Sequence, residues 1–251
     1  MNETMSANGA SHESEQLTER SGLSAPALPR RNRLLGRRVA KRRGAEPFDA
    51  LLWRLQSRQP TDASSALTIG LLACEPGAGV TTIAANLAVR ASELQLGPVL
   101  LVETDGERPR LRGAWKLPPG PGLAEMLTGE ASLPDCLRDG PAADLHVVPA
   151  AAAKRRDTPA WDAGAIDALL AESCADHRLV LFDLPSADQL QHAVLLARRL
   201  DQVLLVVRAE QSRGPAARRV ADHLLEDGVP LTGAVLNRER TYVPRWLARW
   251  I

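Results

Sequence analysis

The sequence is poor in the residues that would indicate a disulfide-stabilised, zinc-binding or membrane-spanning protein. Its 251 residues include three cysteines, Cys74, Cys136 and Cys174, and none of them forms a C-x-x-C pair. This odd, scattered set is typical neither of a disulfide framework nor of a zinc site. No apolar run approaches the roughly 18 residues that span a bilayer, and the acidic N-terminal segment lacks the apolar core of a signal peptide. We therefore expect a cytoplasmic protein.

The charges nearly cancel, which argues against a nucleic-acid-binding surface spread over the whole chain. Lys and Arg number 31 against 30 Asp and Glu, and 45% of the residues are hydrophobic, as in soluble globular proteins. Basic residues are nevertheless concentrated in the run 30–43, RRNRLLGRRVAKRR, which contains no acid. An anionic membrane surface is the first partner expected for this run and nucleic acid the second, the alternative being a solvated tail that binds nothing specific.

Composition and periodicity divide the chain into four segments: residues 1–45, 46–58, 66–238 and 239–251. The first segment is poor in large apolar side chains and is predicted to be disordered. The second has Phe48, Leu51 and Leu55 at helical spacing, which predicts a short amphipathic helix. The fourth is a basic amphipathic tail with Trp246 and Trp250 on one face. Such a tail suits a membrane interface, a groove on a partner or the core of the same chain.

The third segment alternates apolar runs with helical patterns. The runs that predict strands buried on both faces are 67–73, 99–103, 145–150, 178–183, 202–208 and 232–237. This alternation predicts an α/β fold, a doubly wound and mostly parallel sheet with helices on both faces. Ligands of such sheets bind beyond the carboxyl ends of the strands, so we expect the site after Ala73, Glu103 and Asp183.

The segment that follows the first predicted strand, CEPGAGVTTIAANLA, is a Gly-rich turn leading into a predicted helix. The backbone N–H groups of such a turn converge on an anion, usually a phosphate. Compared with the pattern G-x-x-x-x-G-K-[ST], the segment keeps Gly79 and Thr81 but has Cys74 at the first glycine and Val80 at the lysine. Taken alone, the segment is also compatible with a purely structural turn.

Seven motifs occur in order along the third segment: PGAGVTTIAANLA, VLLVETDGERPRL, GLAEMLTGEASLPDCL, LHVVPA, LVLFDLPSA, DQVLLVVRAEQSR and GAVLNR. Together they resemble the cytoplasmic domain of the bacterial tyrosine kinases (BY-kinases) of capsule and exopolysaccharide synthesis, which are MinD/ParA-like P-loop ATPases. The resemblance covers about residues 67–238. It implies a P-loop NTPase fold, with ATP or ADP and Mg²⁺ as cofactors.

The resemblance also implies a role for each matching residue. The nucleotide-binding positions would be Gly77, Ala78, Gly79, Val80, Thr81, Thr82 and Asn237, the last of them reading adenine. The magnesium positions would be Thr81, Asp105 and Asp183, and the catalytic acids Glu103 and Asp105. The alternative is that Asp105 and Asp183 cap the helices that follow them and that Asn237 is a turn residue.

Two departures from the BY-kinase pattern affect charged groups of the expected site. Val80 cannot make the charge-assisted hydrogen bond of the lysine to the β- and γ-phosphates, a contact worth about 1.5–3 kcal/mol. Glu107 stands where the family has an arginine, although Arg108 and Arg110 lie close by in the sequence. Because phosphoryl transfer depends on neutralising charge in the transition state, we expect catalysis to be impaired more than binding.

Two further departures concern autophosphorylation and ring assembly. The family carries a C-terminal tyrosine cluster, whereas Tyr242 is the one tyrosine of this sequence. The ring-forming pattern E-x-x-R-x-x-R is replaced by Glu46, Asp49 and Leu52, so a homo-oligomer formed by that route is in doubt.

These features favour a catalytically impaired regulatory or scaffolding component of exopolysaccharide or capsule synthesis and export. The resemblance implies a membrane polysaccharide co-polymerase or export complex as partner and a location peripheral to the inner face of the bacterial membrane. One alternative is an active ATPase or protein-tyrosine kinase of the same pathway, in which an arginine such as Arg108 replaces the lysine. The other is a ParA-like positioning protein whose basic run binds DNA, with salt-sensitive affinity for duplex of any sequence.

Overall fold

A seven-stranded sheet forms the centre of the protein in the computed structural model, which describes residues 46–58, 66–151, 161–192, 194–209, 212 and 214–238. The strands are β1 Leu67–Ala73, β2 Val99–Glu103, β3 Arg138–Asp139, β4 Leu145–Val148, β5 Leu179–Ser186, β6 Gln202–Arg208 and β7 Leu231–Asn237. Their order is β3-β4-β2-β5-β1-β6-β7, and all neighbours are parallel except β3 and β4. The predicted mostly parallel sheet is confirmed.

Helices cover both faces of this sheet. They are α1 Glu46–Gln56, α2 Val80–Glu93, α3 Leu111–Ala114, α4 Leu123–Leu127, α5 Leu133–Cys136, α6 Ala163–Asp176, α7 Val194–Ala197 and α8 Gly214–Glu226. One buried cluster contains Leu52 of α1 and Ile83 of α2, and a second contains Ile166 of α6 and Leu196 of α7. The sheet therefore lies between two apolar layers, which is the doubly wound arrangement.

The central strands bring three chain segments to one edge of the sheet. Every residue of β1 and β2 is buried, in agreement with their continuous apolar sequences. Strand β5 lies between them, with Asp183 paired to Leu71 of β1 and to Glu103 of β2. The turns that follow β1, β2 and β5 consequently meet at the carboxyl edge, where the sequence predicts the site.

The segment after Asp183 differs from the prediction. Strand β5 continues to Ser186, which pairs with Ala73 beyond an irregularity in register, so strand pairing extends three residues further than predicted. The helix expected next is a 3₁₀ turn over Ala187–His192 followed by the short α7. Elsewhere β4 ends at Val148, and β3 is an antiparallel edge strand that the sequence pattern did not predict.

Helix α1 packs on α2 through an apolar face and an ion pair. Leu52 and Leu55 are each 2% exposed, while Asp49 accepts hydrogen bonds from Arg90 of α2. Two of the positions that correspond to the ring-forming pattern, Asp49 and Leu52, are therefore engaged within this chain. Trp53, on the outer face of the same helix, is 69% exposed.

Several sequence predictions lie outside the described residues. These are the disorder of residues 1–45, the partner of the run 30–43 and the amphipathic tail 239–251. Among the helices that the structure does describe, none combines the length and apolar character required to cross a bilayer.

Candidate phosphate-binding site

The turn between β1 and α2, residues 74–79, has the backbone geometry of a phosphate-binding loop. Gly77 and Gly79 have φ angles of 81° and 95°, in the left-handed region that strongly favours glycine. A Cβ atom added at Gly79 would also collide with the side-chain amide of Asn237. Both glycines predicted from the motif are therefore required by the conformation of the loop.

The first amides of α2 are available to an anion. The first hydrogen bond of the helix runs from the Ile83 N–H to the Gly79 carbonyl, at 3.0 Å. The N–H groups of Val80, Thr81 and Thr82 precede that bond and have no partner within the helix. Because α2 is 14 residues long, its dipole also favours negative charge at this end.

An open pocket lies against these amides. Its lining comes from the P-loop and the start of α2, from the turn after β2 and from the end of β5. The lining residues are Ala73, Pro76, Gly77, Ala78, Gly79, Val80, Thr81, Thr82, Asp105, Arg108, Arg110, Asp183, Leu184, Pro185 and Ser186. The tertiary structure thus brings together eight of the ten residues predicted for the site; Glu103 and Asn237 are not in the lining.

Asp183 presents a buried carboxylate to this pocket. Its side chain is part of the core, the residue being 2% exposed, and Oδ2 has no hydrogen-bond partner among the described residues. The pKa of Asp183 is raised to about 7, chiefly by burial and also by the charges of Glu103 and Asp105, while Thr81 and Arg110 oppose the shift. An unpartnered carboxylate oxygen at a phosphate pocket suits a divalent cation.

Asp105 stabilises the turn after β2. Its Oδ1 accepts hydrogen bonds from the N–H groups of Glu107 at 3.1 Å and Arg108 at 3.0 Å. Asp105 therefore caps a turn, which is close to the helix-capping role considered as an alternative from the sequence. It also lines the pocket. The corresponding alternative for Asp183 is wrong, because β5 continues past it to Ser186 and no helix begins there.

Glu103 is an anchor for the backbone. It is 1% exposed, and its Oε1 accepts hydrogen bonds from the N–H groups of Arg110 at 2.5 Å and Leu111 at 2.8 Å. Its Oε2 accepts a third, from the Ala150 N–H at 3.2 Å. Burial raises the pKa of Glu103, and the three amides oppose that shift. The carboxylate faces backbone amides, and its catalytic role stays a prediction.

Asn237 supports the P-loop from the end of β7. Its Nδ2 donates to the Ala78 carbonyl at 2.7 Å, and its Oδ1 accepts from the Arg238 N–H at 2.8 Å. Its adenine-reading role stays a prediction. Sequence reasoning missed a second support, in which the Ser212 hydroxyl donates to the carboxylate of Glu75 in the P-loop. No local pattern marked Ser212, which lies 137 residues from Glu75.

Val80 contributes to the core. It is 7% exposed and belongs to the same buried cluster as Ile83 and Leu111. Among the residues that line the pocket, the positive charges belong to Arg108 and Arg110 of the turn after β2.

The left-handed glycines, the free amides of α2 and the sheet order define a P-loop NTPase fold of the MinD-like class. A solved structure of that class, the septum site-determining protein MinD of Pyrococcus horikoshii complexed with Mg-ADP, is 23% identical with a TM-score of 0.57. The match covers 73% of this chain and 76% of the MinD chain. The kinase domain of Escherichia coli tyrosine kinase ETK matches with a TM-score of 0.67 and 20% identity, over 80% of this chain and 79% of that domain.

The sequence comparison points to one group of proteins with this fold, the bacterial tyrosine kinases. Tyrosine-protein kinase YwqD of Bacillus subtilis strain 168 is 27% identical over 165 residues, which are 66% of this chain and 69% of that protein. No protein-family model matches the chain. The chain is therefore similar in sequence to a bacterial tyrosine kinase, and it has the P-loop fold that the ETK kinase domain shares with MinD.

Proposed function

We propose that this protein is a catalytically impaired relative of the bacterial tyrosine kinases that still binds a magnesium nucleotide. In this proposal it acts as a regulatory or scaffolding component of exopolysaccharide or capsule synthesis and export. The observation that carries the proposal is the contrast within one loop. Gly77 and Gly79 keep the left-handed geometry of a phosphate cradle, while Val80 is buried in the core at the position of the P-loop lysine.

Binding is expected to persist because much of the cradle is backbone. The amides of Val80, Thr81 and Thr82 and the α2 dipole would contact phosphate oxygens whatever the side chain at position 80. The residues that would hold magnesium are Thr81, Asp183 and Asp105. No group of three or more Asp, Glu, His or Cys side chains in the described ranges could hold a metal alone, so phosphate oxygens would complete the coordination. Bound magnesium would neutralise part of the phosphate charge.

Catalysis is expected to suffer more than binding. Phosphoryl transfer depends on positioning and on stabilising the charge of the transition state, and loss of one well-placed cation costs about three to five orders of magnitude in rate. Glu103, which would orient the reacting groups, has both oxygens engaged by backbone amides. Both features favour a protein that binds nucleotide and turns it over poorly.

The partner class follows from the kinship with bacterial tyrosine kinases. We expect a membrane polysaccharide co-polymerase or export complex, with the protein peripheral to the inner membrane face. The run 30–43 would add attraction to anionic lipid, at about 1 kcal/mol per basic residue near the surface. Nucleic acid is the less favoured partner.

A second candidate function is an active ATPase or protein-tyrosine kinase of the same pathway. The observation that favours it is the presence of Arg108 and Arg110 in the pocket lining. An arginine can stabilise phosphoryl transfer when it reaches the transferred group in the transition state.

Calorimetry and a phosphate-release assay on the purified full chain separate the two candidates. The proposed function predicts weak binding of ADP and ATP with magnesium and turnover at or near background. Robust phosphate release or phosphotransfer that is abolished by Asp105→Ala would establish the active enzyme and overturn the proposal.

A further inference from the structure

The turn between β2 and α3, residues 104–110, is held at both ends by carboxylates. Asp105 accepts the N–H groups of Glu107 and Arg108, and Glu103 accepts that of Arg110 at 2.5 Å. Backbone hydrogen bonds to charged acceptors are among the stronger ones in proteins. The Cα positions of both Arg108 and Arg110 are therefore fixed relative to the sheet edge, although their side chains are exposed.

The side chains of this turn separate by charge. Glu107 is directed to Gln189, whose Nε2 donates to its carboxylate at 2.7 Å, and it does not line the pocket. Arg108 and Arg110 line the pocket, and neither guanidinium has a hydrogen bond or ion pair with another described side chain. Arg112, two residues further on, by contrast donates hydrogen bonds to the carbonyls of Pro118, Gly120 and Ala151. The two uncommitted cations of the turn are thus at the pocket.

A polyphosphate in the pocket would need cations of this kind to neutralise its charge. The pocket lining contains Asp105 and the buried Asp183 but no lysine, and Val80 offers no charge. A polyphosphate brought to the free amides of α2 would therefore meet carboxylates without the usual neutralising side chain. Guanidinium groups match phosphate oxygens in bidentate geometry, so an arginine can take the part of a lysine from a different direction.

Arg110 is the better placed of the two. It is the N-cap residue of α3 and lines the pocket, so its backbone position is set by the start of a helix as well as by the turn. Its backbone is also the one that Glu103 anchors, together with the first residue of α3. Glu103 thus holds this part of the turn in place.

We propose that Arg110, assisted by Arg108, supplies the phosphate-binding positive charge of this pocket in place of the P-loop lysine. The ligand class is a polyphosphate, as in a nucleoside di- or triphosphate. This inference rests on the proposed function, since it assumes that phosphate occupies the P-loop. Glu103 is then a positioning residue for the cation.

The test measures affinity, by calorimetry with the full chain, for Mg-ADP, Mg-ATP and inorganic tripolyphosphate. Arg110→Ala is expected to weaken each ligand by about ten- to a hundredfold, and Arg110→Lys to retain part of the affinity. Arg108→Ala is expected to have a smaller effect. Arg218→Ala is the matched control, because that side chain is 85% exposed on α8 and does not line the pocket. Thermal unfolding of each variant verifies that the fold is retained.

The outcomes distinguish the inference from the proposed function. Loss of affinity in Arg110→Ala with none in Arg218→Ala supports both. Nucleotide affinity that stays within twofold in the Arg108→Ala, Arg110→Ala double variant overturns the inference and leaves the proposed function standing. A third outcome is that tripolyphosphate binding depends on Arg110 and that Mg-ADP and Mg-ATP bind no more tightly than tripolyphosphate. This outcome supports the inference and overturns nucleotide binding. A wild-type protein that binds none of the three probes overturns both.

Discussion

The two loops that line the candidate phosphate pocket contribute different chemical groups: one provides backbone amides and the other provides arginine side chains. The P-loop, residues 74–79 with the start of α2, provides backbone amides and buries its position 80 in the core. The turn 104–110 uses backbone amides to satisfy its own carboxylates and exposes Arg108 and Arg110. In a P-loop NTPase the cradle and the cation usually belong to one motif. Here the arginines that line the pocket belong to a different loop, and Gly77 and Gly79 keep their left-handed geometry with valine at position 80.

The largest effect is expected from removing the anchor of the turn. Glu103→Ala leaves the buried N–H groups of Leu111 and Ala150, and that of Arg110, without their acceptor. At about 1–3 kcal/mol for each unsatisfied group, the free energy of unfolding should fall by about 3 kcal/mol or more. Urea unfolding measures this loss. Glu107→Ala, which removes an exposed carboxylate of the same turn, should stay within about 0.5 kcal/mol, and equal losses in both variants would contradict the anchoring role.

The next effect is on the pH dependence of stability and comes from Asp183. It is measured in protein free of magnesium and nucleotide. The folded-state pKa of Asp183, about 7, exceeds the ordinary value of 3.8, so the folded protein retains a proton that the unfolded chain has released. Stability from this group is full below pH 3.8 and is lost as the pH rises through 7. Asp183→Asn should remove this dependence and raise the free energy of unfolding at pH 8 by up to about 4 kcal/mol.

Melting temperatures between pH 4 and 8 test this prediction. The curves of the wild type and Asp183→Asn should converge near pH 4 and separate towards pH 8. A constant difference across the range would show that the substitution acts through packing.

The backbone of the P-loop is tested by its glycines. Gly79→Ala combines a strained φ with a collision against Asn237, so it should cost about 2–3 kcal/mol of stability and abolish nucleotide binding. Gly77→Ala has a similar φ but open space around its Cβ and should cost about 1 kcal/mol. Gly113→Ala in α3, with no strain and no neighbour, is the control. Equal costs at Gly77 and Gly79 would mean that Asn237 does not brace the loop.

The last substitution acts on affinity for nucleotide and places a cation in the P-loop. Val80→Lys should tighten ATP by about ten- to a hundredfold, because an ammonium group at the start of α2 meets the β- and γ-phosphates. Leu94→Lys, which places the same charge beyond the far end of α2, should leave the affinity unchanged. If Arg110 supplies the charge in the wild type, Val80→Lys should also restore affinity to Arg110→Ala.

No gain from Val80→Lys in a folded protein would mean that the loop does not hold phosphate. Calorimetry on the single and double variants decides this.

The sequence predicted the parts of the site that local signals encode. Continuous apolar runs identified the buried strands, and the Gly-rich turn identified the P-loop, because each is a property of fewer than about ten neighbouring residues. Asp183 was predicted because it ends an apolar run. The pattern failed just beyond it, where pairing of Ser186 with Ala73 prolongs β5 into a segment of helical periodicity.

The partners of the charged side chains were not predictable in this way. Glu103 at the end of a buried strand has the position of a catalytic acid, and its actual acceptor role depends on Ala150, 47 residues away. The same limit applies to the turn 104–110, where alternating Glu107, Arg108 and Arg110 have no periodicity that tells which side chain faces the pocket. Glu107 accepts a hydrogen bond from Gln189, which lies in the 3₁₀ turn after β5.

By itself, the sequence determined the fold class, the position of the Gly-rich turn after β1 and the presence of valine at position 80, since these depend on short-range pattern and residue identity. Only the tertiary structure decided which groups serve the pocket. Asn237 donates a hydrogen bond to the carbonyl of Ala78, which is 159 residues away in the sequence. Thr104 donates one to the carbonyl of Asp183, which is 79 residues away. Contacts of this kind are set by the order of parallel strands, which aligns the ends of β1, β2 and β5 at one edge. That alignment places Arg108 and Arg110 at the same pocket as the Gly-rich turn after β1.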